Sequence, residues 1–126
     1  MRLLVDSHVA LWWLAGHEAL GENCREALAG ADQVLFSAAT PWELAIKRAS
    51  GKIGFPDGLV AELTDSGFEE LPIRAEHGLH AADLPPHHAD PFDRMLVAQA
   101  QMEALDLVTA DRSLGAYDVG LVDARV

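Results

Sequence analysis

The sequence predicts an α/β protein with a three-layer α/β/α arrangement, in which a central parallel sheet lies between helices. Short apolar runs typical of buried strands alternate along the chain with longer stretches typical of helices. Two of these runs, residues 3–5 and 105–109, lie at opposite ends of the chain, and each leads to an aspartate, Asp6 or Asp111. With 126 residues and a hydrophobic content of 50%, the chain is expected to form one domain over residues 1–126.

The first part of the chain is expected to contain two strands and two helices. We predict a strand at residues 2–5, a helix that begins with residues 8–14, a helix at residues 22–28 and a strand at residues 34–36. Gly30 is expected to end the second helix.

The clearest helix signal begins at Thr40. Thr40 supplies a capping hydroxyl, Pro41 suits the first helical position, and Glu43 stands three residues after the cap. This pattern predicts a capping box and a helix that starts at Thr40 and ends near residues 50–51.

The middle of the chain gives weaker signals. We expect a helix within residues 54–67, a strand within residues 68–73, a short helix at residues 76–83 and a loop at residues 84–89. The strand should lie near a sheet edge, because Pro72 has no N–H to donate to a neighbour.

The last part of the chain repeats the helix-start pattern. Asp90, Pro91, Phe92 and Asp93 provide a cap, a proline, an aromatic residue and an acid, so a second strong helix is predicted to begin there. We then expect a strand at residues 105–109, a turn or short helix at residues 112–117 and a strand at residues 121–122.

The composition limits the classes of function. A net charge of −11 argues against binding a polyanion, unless several of the acids hold divalent cations. Several of the nine basic residues also lie within five positions of the acids considered below, among them Lys47, Arg48, Arg94 and Arg112. Cys24 is the only cysteine, which excludes an intrachain disulfide and fits a reducing compartment. No apolar run is long enough to span a bilayer, so we expect a cytoplasmic protein with no membrane partner.

Four acids are candidates for a shared site. Asp6 and Asp111 follow apolar strands, and acids at the carboxyl ends of parallel strands can share one crevice. Glu43 and Asp93 are both expected at the third position of a helix. Such a cluster of like charges needs a counter-ion, and ligands that are all oxygens favour Mg²⁺ or Mn²⁺. A carboxylate-held divalent ion is typical of phosphodiester hydrolysis.

Each acid also has a structural interpretation. Glu43 could serve only in the capping box and pair with Lys47, four residues on. Asp90 is better explained as a helix cap than as a ligand. Asp6 and Asp111 could cap the helices that follow them. The hydroxyls of Ser7 and Thr109 are near enough in sequence to assist, but they are interpreted as ordinary turn and strand residues.

The sequence resembles the PIN-domain ribonucleases of the VapC toxin type. The resemblance rests on residues 3–14, residues 37–47 with Trp42-Glu43, residues 90–100 with Asp-Pro-Phe-Asp-Arg, and residues 107–111. It implies an endoribonuclease that depends on Mg²⁺ or Mn²⁺ and acts as the toxin of a type II toxin–antitoxin pair. It also implies an RNA substrate, a cognate antitoxin and a homodimer. The catalytic, metal-binding acids of the family fall on Asp6, Glu43, Asp93 and Asp111.

Two alternatives belong to other classes. A catalytically silent module of the same fold would bind proteins, and divalent ions would leave its stability unchanged. A phosphoacceptor domain also places an aspartate after a strand, but it needs neighbouring acids early in the chain and a later lysine at a strand end, which are missing.

The histidines and tryptophans carry less information. A histidine-assisted metal site is conceivable for the pair His77 and His80 or the pair at residues 87–88, but solvated side chains explain them better. Trp12 and Trp13 point about 100° apart on a helix, so one of them is a candidate for an interface with a second chain.

Overall fold

The computed structural model describes residues 1–126 and has five strands and six α-helices. The strands are β1 (Arg2–Val5), β2 (Gln33–Ser37), β3 (Glu69–Leu71), β4 (Asp106–Thr109) and β5 (Leu121–Asp123). The helices are α1 (Ser7–Ala15), α2 (Glu22–Gly30), α3 (Ala39–Ala49), α4 (Leu59–Asp65), α5 (Ala75–Asp83) and α6 (Pro91–Glu103), and a 3-10 helix spans Arg112–Ala116.

All five strands are parallel, in the order β3-β2-β1-β4-β5. Leu4 in the central strand β1 aligns with Leu35 on one side and Leu107 on the other. The chain first builds the sheet from β1 toward β3 and then returns to add β4 on the opposite side of β1. The carboxyl edge between β1 and β4 is therefore the topological switch point, where α/β proteins bind ligands.

Helices cover both faces of the sheet, so the three inner strands β1, β2 and β4 are buried on both faces. Leu3 and Val5 belong to the core beneath α1, α2, α3 and α4, whereas Leu4 belongs to the core beneath α5 and α6. This burial on both faces explains why these inner strands consist mainly of consecutive apolar residues. The predicted three-layer α/β/α class is confirmed. β3 lies at the sheet edge, as Pro72 indicated.

The predicted start of α3 is wrong. The helix begins at Ala39 rather than Thr40, and its N-cap, Ala38, has a methyl side chain that cannot accept a hydrogen bond. The Oγ atom of Ser37 accepts the backbone N–H of Ala39 at 3.1 Å, so the helix starts directly from the end of β2. Thr40 is buried one position inside, and Glu43 is too far along the helix for a capping box.

The predicted helix within residues 54–67 is also too long. Only Leu59–Asp65 is helical, because Gly58 has a φ of 88° and the chain before it is extended or bent. Arg48 holds this segment by donating to the carbonyl of Phe55 at 3.2 Å and to Asp57 at 3.2 Å. None of the helices has the length and apolar character needed to cross a membrane.

Candidate active site

A cavity of about 380 Å³ opens at the carboxyl edge of β1 and β4. The four predicted site acids line it together: Asp6, Glu43, Asp93 and Asp111. They come from four places in the chain, namely the end of β1, the middle of α3, the start of α6 and the turn after β4. Their role as metal ligands stays a prediction, but the fold brings all four to one cavity.

Asp6 is fixed through both of its carboxylate oxygens. Oδ1 caps α1 by accepting the backbone N–H of Val9 at 2.9 Å, and Oδ2 accepts the hydroxyl of Thr109 at 2.5 Å. Burial raises the pKa of Asp6, although these hydrogen bonds and His8 oppose the rise. Asp6 is thus both a helix cap and a buried acid facing the cavity.

Glu43 is 7% exposed and lies on the face of α3 that meets α1. Its Oε1 accepts the hydroxyl of Ser7 at 2.5 Å, and its Oε2 is 2.9 Å from the Nζ of Lys47. The capping-box interpretation is wrong, whereas the expected pair with Lys47 is present. Ser7 and Thr109 are likewise more than ordinary turn and strand residues, because each hydroxyl holds a site carboxylate.

Asp93 is the second carboxyl in the cavity whose pKa lies above its ordinary value. Burial raises the pKa of Asp93 to about 6, and the charge of Asp90 adds to the rise. Asp90 is the N-cap of α6, as predicted, and accepts the backbone N–H of Phe92 at 2.8 Å. Asp93 therefore occupies the third position of α6, where the free amides favour a carboxylate.

Asp111 lies at the open side of the cavity. It caps the 3-10 helix, accepting the backbone N–H of Ser113 at 3.0 Å and its hydroxyl at 2.6 Å. The Ser113 hydroxyl is the main reason that the pKa of Asp111 lies below its ordinary value. Asp111 does not pair with Arg112, which binds Asp123 at 3.0 Å instead.

His88 is the one histidine placed between two of the acids. Its Nε2 is 3.5 Å from Oδ2 of Asp93 and 3.3 Å from Oδ2 of Asp111. Side-chain atoms of these three residues able to ligate a metal lie within 4.8 Å of one another. His77 and His80 do not reach the cavity.

The interpretation of the histidines as solvated side chains is wrong for His77 and His80 on α5. His77 is 1% exposed, accepts the backbone N–H of Arg74 at 2.9 Å, and lies 3.0 Å from a carboxylate oxygen of Glu103. His80 reaches the side chain of Gln101 at 2.6 Å. Both histidines join α5 to α6 and have a structural role.

Comparison with known proteins agrees with this geometry. The family model described as the PIN domain matches residues 3–120. The chain belongs to the PIN domain family. It is also 30% identical over 118 residues to Ribonuclease VapC22 from Mycobacterium tuberculosis, and the match covers 91% of each chain. The resemblance predicted from the sequence is confirmed.

Solved structures show the same fold. VapBC2 from Rickettsia felis, bound to a DNA fragment from its promoter, matches this PIN domain with a TM-score of 0.72 and 17% identity over 98% of each chain. DNA-bound VapBC from Salmonella typhimurium matches with a TM-score of 0.71 and 18% identity over 98% of both chains. FitAcB from Neisseria gonorrhoeae matches with a TM-score of 0.68 and 19% identity, also over 98% of both chains.

The donor set of this PIN domain fits a hard divalent cation. The four acids offer only oxygen ligands, which Mg²⁺ and Mn²⁺ prefer over soft ligands. Burial raises the pKa of both Asp6 and Asp93, so their negative charges lack sufficient compensation in the ion-free protein. Lys47 is paired with Glu43 alone, and a cation at the cavity would relieve the remaining repulsion.

The basic residues that line the cavity are only partly the ones that the sequence predicted. Lys47 lines the cavity, whereas Arg48, Arg94 and Arg112 do not. Arg94 points away and donates to backbone carbonyls, including those of Ala81 at 2.8 Å and Leu84 at 2.9 Å. Arg125 lines the cavity instead and was not predicted, since no motif surrounds it in the sequence.

Proposed function

We propose that this PIN domain is an endoribonuclease that depends on a divalent cation, Mg²⁺ or Mn²⁺. The observation that carries the proposal is the convergence of Asp6, Glu43, Asp93 and Asp111 on one cavity at the switch point of the sheet. The relation to a protein named as a ribonuclease supports RNA as the substrate.

The four acids would hold the cation, directly or through water. When bound, the ion supplies Lewis acidity that stabilises the charge developing on a phosphodiester as water attacks phosphorus. The chain contributes fixed carboxylates. The Thr109 hydroxyl and the Val9 amide orient Asp6, while the Ser7 hydroxyl and Lys47 orient Glu43. Such outer contacts keep ligands in place before the ion arrives.

The same proposal includes the biological setting of a toxin in a type II toxin–antitoxin pair. The structural neighbours include a toxin–antitoxin complex from Klebsiella pneumoniae, which covers 98% of both chains with a TM-score of 0.69. We infer a cognate antitoxin, a homodimer and a cytoplasmic location. A basic side chain of the antitoxin would suit the acidic cavity in place of the ion.

Cleavage of a pool of structured RNAs tests the proposal. The purified protein should cut RNA with Mg²⁺ or Mn²⁺ and should lose this activity in EDTA and in Asp6→Asn or Asp93→Asn. Asp65→Asn is a matched control, because Asp65 is exposed on α4 and does not line the cavity. Cutting that persists in EDTA or in both site variants would contradict the metal mechanism. A protein that neither cuts RNA nor changes its stability with either ion would be a silent module.

A further inference from the structure

The cavity is strongly acidic for a site that must receive an RNA strand. Besides the four acids already described, Asp90 lines it, and only two side chains with permanent positive charge face it, Lys47 and Arg125. The whole chain carries a net charge of −11. RNA binding depends on cations that neutralise phosphates, so the state of these two side chains decides where a phosphate can be held.

Lys47 is already neutralised. Its Nζ is 2.9 Å from Oε2 of Glu43, and the Glu43 side chain is almost fully buried. An ammonium held in this way compensates a buried carboxylate, and its removal for a phosphate would leave that charge unpaired.

Arg125 is the remaining cation and its guanidinium is free. It makes no hydrogen bond or ion pair in the structure; only the backbone N–H of Arg125 is engaged, with Oδ1 of Asp123 at 2.9 Å. The other arginines near the site differ in this respect, since Arg112 pairs with Asp123 and Arg94 is surrounded by carbonyl oxygens.

The Trp12 ring holds the Arg125 guanidinium at the cavity wall. The Cζ atom of Arg125 lies 5.7 Å from the centre of the Trp12 ring, within the range of a cation–π contact. Trp12 is itself fixed, because it packs against the core and stacks on His17 with ring centres 5.9 Å apart. Both Trp12 and Arg125 line the same cavity as Asp6.

We propose that Arg125, supported by Trp12, binds a phosphate of the RNA strand whose scissile bond lies at the acidic cavity. The inference rests on the proposed ribonuclease function and adds a substrate-binding residue to it. A guanidinium presents a planar set of donors that matches phosphate oxygens, and stacking on an indole leaves those donors at the edge available. The phosphate is held beside the acids rather than among them.

Binding and cleavage of a randomised single-stranded RNA test this assignment. Binding is measured by fluorescence anisotropy on the Asp93→Asn background, and cleavage by initial rates with Mn²⁺. We expect Arg125→Ala to weaken binding and raise KM several-fold while kcat changes little, and Arg125→Lys to be intermediate. The slope of log K against log salt should fall by about 0.7, the value for one phosphate contact on a single strand.

Lys52→Ala is the matched control, since it removes one positive charge from an exposed residue outside the cavity. Trp12→Leu should weaken binding in the same direction as Arg125→Ala, and circular dichroism verifies that the variants fold. Equal losses in Lys52→Ala and Arg125→Ala, or an unchanged KM and salt slope in Arg125→Ala, would overturn the assignment while cleavage by the unaltered protein continues. Failure of the unaltered protein to cleave RNA would overturn the proposed function and this inference with it.

Discussion

The hydroxyl of Thr109 donates a hydrogen bond to the carboxylate of Asp6 across 103 residues of sequence. The same hydroxyl oxygen accepts the backbone N–H of Asp111 at 3.0 Å. One side chain at the end of β4 therefore positions two of the four acids, one on each side of the switch point. This contact links the geometry of the sheet directly to the geometry of the cavity.

Replacing Thr109 tests that link. We expect Thr109→Val to weaken Mn²⁺ binding by about 10- to 100-fold, the usual cost of losing a partner of a metal ligand. The pKa of Asp6 should also rise further, because the Thr109 hydroxyl is the largest influence lowering it. Isothermal titration calorimetry measures the affinity. Thr109→Ser keeps the hydroxyl and should bind Mn²⁺ almost normally; equal affinities for the Val and Ser variants would show that the hydroxyl does not position Asp6.

The raised pKa of Asp93 predicts that the stability of the protein depends on pH when divalent ions are removed. Burial raises its pKa from 3.8 to about 6, so the folded state binds the proton more tightly than the unfolded state between those values. The contribution of Asp93 to the free energy of unfolding should therefore fall as pH rises from about 4 to about 6. The fall should be smaller than the roughly 3 kcal/mol that corresponds to the full pKa shift, because solvent partly screens this charge. Urea denaturation in EDTA across this pH range measures the change.

Asp93→Asn supplies the control for that dependence. The variant cannot ionise at this position, so it should lose the part of the fall that Asp93 contributes and be more stable than the unaltered protein at neutral pH. Asp6, whose pKa burial also raises, keeps its own contribution in both proteins. A variant whose stability follows the same pH curve as the unaltered protein would refute the assignment of the dependence to Asp93.

A divalent cation should reverse this destabilisation. At a hundredfold excess of Mn²⁺ over its dissociation constant, a single site adds about 2.7 kcal/mol to the free energy of unfolding. Thermal denaturation at neutral pH should show this increase in the unaltered protein and little of it in Asp6→Asn. An equal response in both proteins would place the ion away from Asp6.

The contacts of Arg94 predict an effect of mutation on folding stability that does not involve the metal ion. Its guanidinium donates to five backbone carbonyls between residues 81 and 88 and to the hydroxyl of Tyr117. A lysine cannot reproduce this fork of donors, so Arg94→Lys should lower the free energy of unfolding by at least about 2 kcal/mol. Arg112→Lys is the control, because the Arg112 side chain is exposed and pairs only with Asp123.

Urea denaturation compares the two arginine variants. The control should lie within about 0.5 kcal/mol of the unaltered protein. Similar losses in the two variants would mean that the carbonyl contacts of Arg94 contribute little. A large loss for Arg94→Lys alone would support its role in holding the segment that places His88 beside Asp93.

The features that could be predicted from the sequence are those that depend on residues close together in the chain. The apolar runs ending at Asp6 and Asp111 gave the strands and the edge where the cavity lies. Asp90 was correctly predicted as a cap, because its side chain acts on a residue two positions away. The start of α3 was missed for a similar local reason: Ser37, at the end of β2, accepts the Ala39 amide before Thr40 can cap the helix.

The remaining features depend on contacts between distant segments. Ser7 reaches Glu43 only because α1 packs on α3, and Arg125 reaches the cavity only because β5 returns the chain to the sheet edge beside β4. No local pattern distinguishes Arg125 from other exposed arginines. The convergence of the acids was predicted from the parallel topology, but the side chains that hold these acids in place could be identified only from the structure.

The most direct measurement is the anomalous scattering of Mn²⁺ in crystals of the protein. We predict a manganese peak in the cavity, coordinated by carboxylate oxygens that include Asp6 and Asp93, and no peak there in crystals of Asp6→Asn. A fully occupied manganese elsewhere, such as beside His77 and His80, with the cavity carboxylates free of metal, would contradict the claim that these acids form a divalent-cation site.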